Sequence, residues 1–161
     1  MEKIMYDWIL KRILNKKKKT CIIGISGVQG CGKSTSSLKI QKLLTRGSSN
    51  YSVLVFSLDD FYYTHHQQHQ LSLTYPENPY LQYRGNPGSH DLLLLKNILK
   101  ACLNENEKNL SIPRYNKAAF QGRGDRKSKE EWPTVAKPVD VILLEGWCLG
   151  FSSYPDTHVF T

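Results

Sequence analysis

Residues 27–34 read Gly-Val-Gln-Gly-Cys-Gly-Lys-Ser, a fit to G-x-x-x-x-G-K-[ST]. Little else in the chain restricts its fold as much, because the string works only where a strand runs straight into a helix. Glycines let the backbone curl with its N–H groups facing inward, and the helix start adds partial positive charge, so the turn cradles an anion with few side chains. The flanks agree with this requirement. The run CIIGI, within Thr20 to Ser26, is short, apolar and partly β-branched, as suits a buried parallel strand, and Leu38, Ile40, Leu43 and Leu44 supply the apolar face of a helix starting near Lys33. An ordinary tight turn accounts for the glycines but not for the Lys-Ser behind them.

The motif predicts a nucleoside triphosphate site made of Gly27, Val28, Gln29, Gly30, Cys31, Gly32, Lys33, Ser34 and Thr35. Lys33 is placed to neutralise the β- and γ-phosphates and Ser34 to offer its hydroxyl to Mg2+, with Thr35 beside it. Cys31 reads as a small space-filling residue whose oxidation or alkylation would block the loop.

Around this centre the chain reads as one α/β domain over residues 1–161. Ile4, Met5, Trp8, Ile9 and Ile13 recur at helical spacing, which predicts an amphipathic helix over 2–14. The nucleotide-binding core occupies 20–60. Its first helix closes with a basic last turn and a glycine cap at Arg46-Gly47, and YSVLVFSL, Tyr51 to Leu58, forms a second strand that stops at Asp59-Asp60. Residues 61–90, rich in His, Gln, Tyr, Pro and Asn, read as a functional loop too long for an ordinary connection. Ser89 is expected to cap a helix with Asp91 in its first turn and Leu92, Leu95, Leu99, Cys102 and Leu103 as its stripe. A second polar loop over 111–138, bracketed by Pro113, Pro133 and Pro138, precedes the third strand, VDVILL, in the segment 139–145, which runs into Glu145-Gly146. Strand, helix and strand in this order specify a P-loop NTPase-type open parallel sheet with flanking helices.

The 161 residues carry 22 Lys+Arg against 14 Asp+Glu, a formal charge of +8, and 40% of them are hydrophobic, which excludes wholesale disorder. No apolar run approaches the length of about eighteen residues that a membrane span needs. The opening stretch, with Glu2, Asp7 and many lysines, is unlike a secretory signal, so a cytoplasmic protein without a membrane partner is expected. Cys21, Cys31, Cys102 and Cys148 form no C-x-x-C pair, so neither a zinc ribbon nor a redox dithiol is suggested. Lys16 to Lys19 reads as a solvated linker, and His65, His66 and His69 as loop residues rather than metal ligands. No metal other than Mg2+ is called for.

Ligands of open parallel sheets sit beyond the carboxyl ends of the strands, where this reading puts Asp59, Asp60 and Glu145. A carboxylate there takes the proton of an attacking hydroxyl or holds Mg2+. The plainer alternative, that each is a turn former, stays open.

GISGVQGCGKST, SLDDFYYT, NPYLQYRGNPGSHDL, IPRYNKAAFQGRGDR and LLEGWCLGF together resemble the kinases grouped with phosphoribulokinase, uridine kinase and pantothenate kinase, and within them the D-glycerate 3-kinase branch and its fungal relatives. The resemblance runs from Ile22 to Phe151, and its RGNPGSHD and GRGDR stretches are more specific than the phosphate loop. It implies that Asp59 is the base, with Lys33 and Glu145 completing the catalytic set, and that Ser34 and Glu145 serve the metal. It further implies an acceptor site drawing on Asp60, Tyr62, Arg84, His90, Arg114, Tyr115, Lys117, Arg123, Asp125 and Arg126. Arg84 and Arg123 are candidates to grip a carboxylate, since a planar guanidinium offers two parallel hydrogen bonds.

The resemblance also implies further strands and a lid helix beyond Thr161, so the sheet is expected to be incomplete, as in an N-terminal fragment or a shortened gene model. Three functions remain in view at this point. The first is ATP-dependent phosphorylation of a small hydroxy acid such as D-glycerate, the second a nucleotide-binding module with weak or no turnover. The third, a nucleic-acid-associated NTPase, rests on charge alone.

Overall fold

Along the chain the elements run α1 (Glu2–Leu14), β1 (Cys21–Ser26), α2 (Lys33–Arg46), β2 (Val53–Ser57), α3 (His65–Thr74), α4 (Leu92–Leu103), β3 (Asn109–Ser111), β4 (Tyr115–Asn116), β5 (Asp125–Arg126), β6 (Thr134–Ala136) and β7 (Val141–Gly146). The computed structural model describes residues 2–15, 20–46, 50–104, 106–136 and 138–152. The expected linker at Lys16 to Lys19 and the glycine cap at Gly47 lie outside the described residues.

The three apolar runs form a parallel sheet in the order β1-β7-β2, with Leu143 facing Ile23 on one side and Val55 on the other. Every residue of β7 is buried, as a central parallel strand covered on both faces requires. Alternation along β7 divides its side chains between two cores. Val141 and Leu143 pack with Ile9 of α1, Ile40 and Leu44 of α2, and Ile23 and Ile25 of β1. Ile142 and Leu144 pack on the opposite face with Phe56, Phe61, and Leu95, Ile98 and Cys102 of α4. Cutting Ile142 or Leu143 back to alanine would open either fully buried core at a cost of about 2–5 kcal/mol. By the same alternation Glu145 shares the side of Val141 and Leu143, the face that carries α2.

Several expectations are corrected. In α1, Ile4 and Trp8 are exposed and only Ile9 is fully covered; in α2, Leu38 and Leu43 are exposed while Ser37 joins Ile40 and Leu44 inside. The stripe of α4 is rotated, so that Ile98 replaces Leu92 and Leu103 in the core. Its cap is Asp91, whose Oδ1 accepts from the Leu94 N–H at 2.9 Å. Ser89 is instead fully buried, its hydroxyl donating to Asn86 O at 2.6 Å and accepting from the Gly85 N–H, which closes the turn before the helix.

The two polar segments are structured. Residues 61–90 contain α3, started by a capping box in which Thr64 and Gln67 satisfy each other's backbone N–H groups. Residues 111–138 contain the antiparallel β4–β5 pair and, with β3, the β3–β6 ladder.

Candidate active site

The carboxyl ends of β1 and β2 each deliver one motif. After β1 the backbone turns through Gly30 and Gly32 at φ +78° and +85°, a left-handed conformation that favours glycine, and α2 begins at Lys33. Gly27 lies tight against the loop, since a Cβ there would stand 2.9 Å from the Cys31 sulfur. Val28 is exposed and its carbonyl accepts from Lys33 Nζ at 2.8 Å, while Cys31, also exposed, closes a turn on the same carbonyl. Ser34 donates its hydroxyl to Glu145 Oε1 at 3.1 Å across from the end of β7.

After β2 a second capping box turns the chain: Ser57 Oγ accepts from the Asp59 N–H at 3.2 Å, and Asp60 Oδ2 accepts from the Ser57 N–H at 3.3 Å. The turn sends the two carboxylates different ways. Asp60 is held by the Arg114 guanidinium at 3.1 Å and by the Tyr115 N–H; burial pushes its pKa up, against the opposing pull of Arg114. Asp59 takes the Lys117 ammonium at 2.7 Å. Burial, with the Asp59 charge, pushes the Tyr62 phenol well above its ordinary range, so the hydroxyl keeps its proton.

Two cavities meet at this point. One, of about 520 Å3, is lined by Gln29, Gly30 and Gly32 to Thr35 of the phosphate loop, by Ser57, Asp59, Asp60 and Glu145, and by Tyr115, Lys117 and Trp147. Its turned glycines, helix start and Ser34–Glu145 pair fit a nucleoside triphosphate with Mg2+: the loop offers backbone donors to phosphate, and a hydroxyl beside a carboxylate is the oxygen donor set of that ion. The other cavity, of about 490 Å3, is lined by Asp59, Tyr62, Arg84, Lys117 and Arg123 of the expected set. Gln29, Asp59 and Lys117 belong to both walls.

Arg84 lines this second cavity, but its guanidinium is engaged. Nη1 donates to Gly122 O at 2.7 Å and to Arg123 O, and Nη2 donates to Lys117 O, so the arginine clamps the 117–123 segment rather than standing free as a fork for a carboxylate. It also lies over the Tyr115 ring, 5.5 Å from the centroid. Arg123 stacks over Tyr83 at 4.7 Å. Gly124, at φ +82°, has no room for a side chain between Tyr115 and Arg84.

Four expected acceptor residues line neither cavity. Arg126 donates to Asp91 Oδ2 and to the Tyr62 carbonyl, tying β5 to the start of α4. Asp125 accepts from the His65 N–H at 2.8 Å, and Arg114 is spent on Asp60. His90 is buried behind Tyr62, the rings stacked 4.4 Å apart, and burial pushes its pKa down against the smaller opposing pull of Asp59.

Residues outside the expected set complete the second wall. His65, Gln68, His69 and Ser72 come from α3, and Gln82, Tyr83 and Gln121 from the loops. His65 stacks on Phe120 at 3.9 Å. Trp147 donates its indole N–H to Gly85 O at 2.9 Å, joining the end of β7 to the 84–89 turn. The S-x-x-D of Ser57 to Asp60 and the T-x-x-Q of Thr64 to Gln67 were the available signals for the two caps, and hence for α3.

The chain is 42% identical over 152 residues to an uncharacterized kinase of Schizosaccharomyces pombe, covering 92% of this chain and 54% of that protein. It is 43% identical over 136 residues to the chloroplastic D-glycerate 3-kinase of Arabidopsis thaliana, covering 83% and 29%. Among solved structures, D-glycerate 3-kinase from Cryptococcus neoformans superposes with a TM-score of 0.87 at 30% identity, over 99% of this chain and 56% of that one. A possible uridine kinase from Bacillus stearothermophilus, at 22% identity and a TM-score of 0.63, shares the fold. The chain spans about half the length, or less, of the curated relatives it matches. Residues 22–154, from β1 through the second cavity to the turn after β7, match the phosphoribulokinase/uridine kinase family, and the chain belongs to it.

Proposed function

We propose that the protein transfers the γ-phosphoryl group of ATP to a hydroxyl of a small hydroxy acid, with D-glycerate as the acceptor and 3-phosphoglycerate as the product. The observation that carries this reading is the position of Asp59 in the wall shared by the two cavities, one built from the phosphate loop and the other carrying Arg123. A carboxylate at such a junction reaches an acceptor hydroxyl on one side while the phosphoryl group stands on the other, the arrangement a general base needs. The identity to a plant D-glycerate 3-kinase and the match to a fungal one support the choice of acceptor.

The roles follow from the contacts. The backbone donors of Gly30 to Lys33 and the Lys33 ammonium hold the triphosphate. Ser34 and Glu145 would hold Mg2+, which when bound neutralises phosphate charge. Asp59, which shares the acceptor-cavity wall with Tyr62, takes the hydroxyl proton as the new O–P bond forms. Arg123, whose guanidinium stacks on Tyr83, grips the acceptor carboxylate. Arg84 keeps Lys117, Gly122 and Arg123 in place through their carbonyls.

The test is ADP release from Mg·ATP by the purified chain, with D-glycerate against pantothenate, uridine and ribulose 5-phosphate. Release stimulated by D-glycerate alone is the expected result. Stimulation by a different acceptor would refute the substrate, and ATP binding without acceptor-dependent release would leave a nucleotide-binding module.

A further inference from the structure

The phosphate-side cavity has an uneven charge balance. Among the described residues lining it, Asp59, Asp60 and Glu145 are acidic and only Lys33 and Lys117 are cationic. Lys33 lies within the phosphate loop, its ammonium on Val28 O. Lys117 stands against Asp59 and in the wall of the acceptor cavity as well. Phosphoryl transfer spreads negative charge over the oxygens of the moving group, and a cation placed where that group travels stabilises the transition state more than the ground state.

Lys117 is also arranged so that its two ends behave differently. Its backbone carbonyl is held by Arg84 Nη2 at 3.2 Å, while its side chain is 61% exposed and ends on Asp59 Oδ2 at 2.7 Å. The root of the chain is fixed and the flexible four-carbon stem lets the ammonium pivot about it. When an acceptor hydroxyl comes to Asp59, its hydrogen bond replaces the one from Lys117, and the ammonium is released at the boundary between the cavities.

We infer that Lys117 is a catalytic residue which passes from Asp59 to the transferring phosphoryl group, supplying the positive charge at the acceptor end of the reaction. In this step the acceptor oxygen forms a bond to the γ-phosphorus and the bond from that phosphorus to the β–γ bridging oxygen breaks. The electron pair leaves with ADP, and the hydroxyl proton goes to Asp59. Lys117 gives up no proton. The inference rests on the phosphoryl-transfer reading but not on the identity of the acceptor.

The full chain and its Lys117→Met and Lys117→Arg variants test it through three readouts: affinity for Mg·ATP, kcat and KM with the acceptor, and affinity for ADP with aluminium fluoride relative to ADP alone. The aluminium fluoride complex mimics the moving phosphoryl group and reads Lys117 whichever alcohol is the substrate. Lys117→Met is expected to keep Mg·ATP affinity within about twofold and to lose kcat by about 10²–10³-fold. Its preference for the aluminium fluoride complex should fall with kcat, and Lys117→Arg should recover part of both. A kcat within threefold of the parent, a loss confined to acceptor KM, or an unchanged aluminium fluoride preference in Lys117→Met would each overturn the inference. If the parent chain shows that preference but ignores D-glycerate, the acceptor assignment fails and the Lys117 comparison still decides this one. A parent chain without the preference refutes both.

Discussion

The Arg84 guanidinium occupies the space that a side chain on Gly124 would need: a Cβ there would stand 2.7 Å from Arg84 Nη1 and 2.5 Å from the Tyr115 ring. Two stretches far apart in sequence, RGNPG and GRGD, thereby become halves of one device. The first supplies an arginine that donates to the Gly122, Arg123 and Lys117 carbonyls. The second supplies the glycine that lets the guanidinium come so close, at φ +82°. The segment bearing Lys117 and Arg123 is positioned by this fit rather than by regular secondary structure.

Gly124→Ala therefore suffers twice, from left-handed strain and from collision with Arg84 and Tyr115. Gly122, at φ +87° with nothing within 4 Å of its would-be Cβ, suffers strain alone. We expect Gly122→Ala to lose about 1–2 kcal/mol of unfolding free energy and Gly124→Ala about 1–3 kcal/mol more, with a rise in acceptor KM in the second only. Urea unfolding of the two variants side by side measures the difference. Equal losses would mean that the close approach of Arg84 contributes nothing.

Asp59 and Lys33 line the same cavity but are assigned different work, which separates their substitutions. Lys33→Ala should abolish Mg·ATP binding and turnover together, because the ammonium of the phosphate loop is lost. Asp59→Asn should leave Mg·ATP affinity within a few-fold and lower kcat by about 10²–10⁴-fold, the usual worth of a general base. Calorimetric titration with Mg·ATP alongside the ADP-release assay decides it. Parallel loss of binding in both variants would remove Asp59 from the role of base.

The sequence made the phosphate loop and the sheet legible because each rests on local rules: a fixed glycine spacing, a β-branched apolar run, a 3.6-residue period. The second cavity rests on contacts between distant residues, which no local rule exposes. The resemblance counts Arg126 and Arg114 toward the acceptor site, but each is committed to a carboxylate, Asp91 and Asp60 respectively, brought to it by the folded chain. The residues of α3 carry no apolar stripe, so a search for periodicity passes over a helix that is fixed by its Thr64–Gln67 cap and by Gln68 donating to Leu81 O. Leu92 and Leu103 entered the expected stripe of α4 because apolar residues crowd that helix on most sides, and spacing alone does not choose which arc faces the sheet.

Glu145 is buried at the end of β7 and accepts the Ser34 hydroxyl, so its carboxylate is directed at the Ser34 side of the phosphate cavity. Glu145→Gln preserves shape and one acceptor but removes that charge. The Mg2+ concentration giving half-maximal turnover at fixed ATP should rise by about 10–100-fold, while ATP binding measured without Mg2+ should not weaken. An unchanged Mg2+ requirement would leave Glu145 as a structural partner of Ser34 only.

His90 provides a pH signature that does not depend on catalysis. Its ring is buried against Tyr62, Nε2 has no hydrogen-bond partner among the described residues, and burial holds its pKa below the ordinary 6.5 although Asp59 pulls weakly the other way. With the folded value below the unfolded one, the unfolded chain takes up the proton first as pH falls. The stability contribution is thus complete above pH 6.5 and is lost on acidification through the window below it. The slope from this one group cannot exceed about 1.4 kcal/mol per pH unit. Urea unfolding at pH values from about 5 to 7 should give a steeper decline on acidification for the parent chain than for His90→Phe, which keeps an aromatic ring against Tyr62 but cannot take up a proton. Superimposable pH profiles would show that the folded protein accommodates the imidazolium at no cost, and the buried stack would then have no part in acid sensitivity.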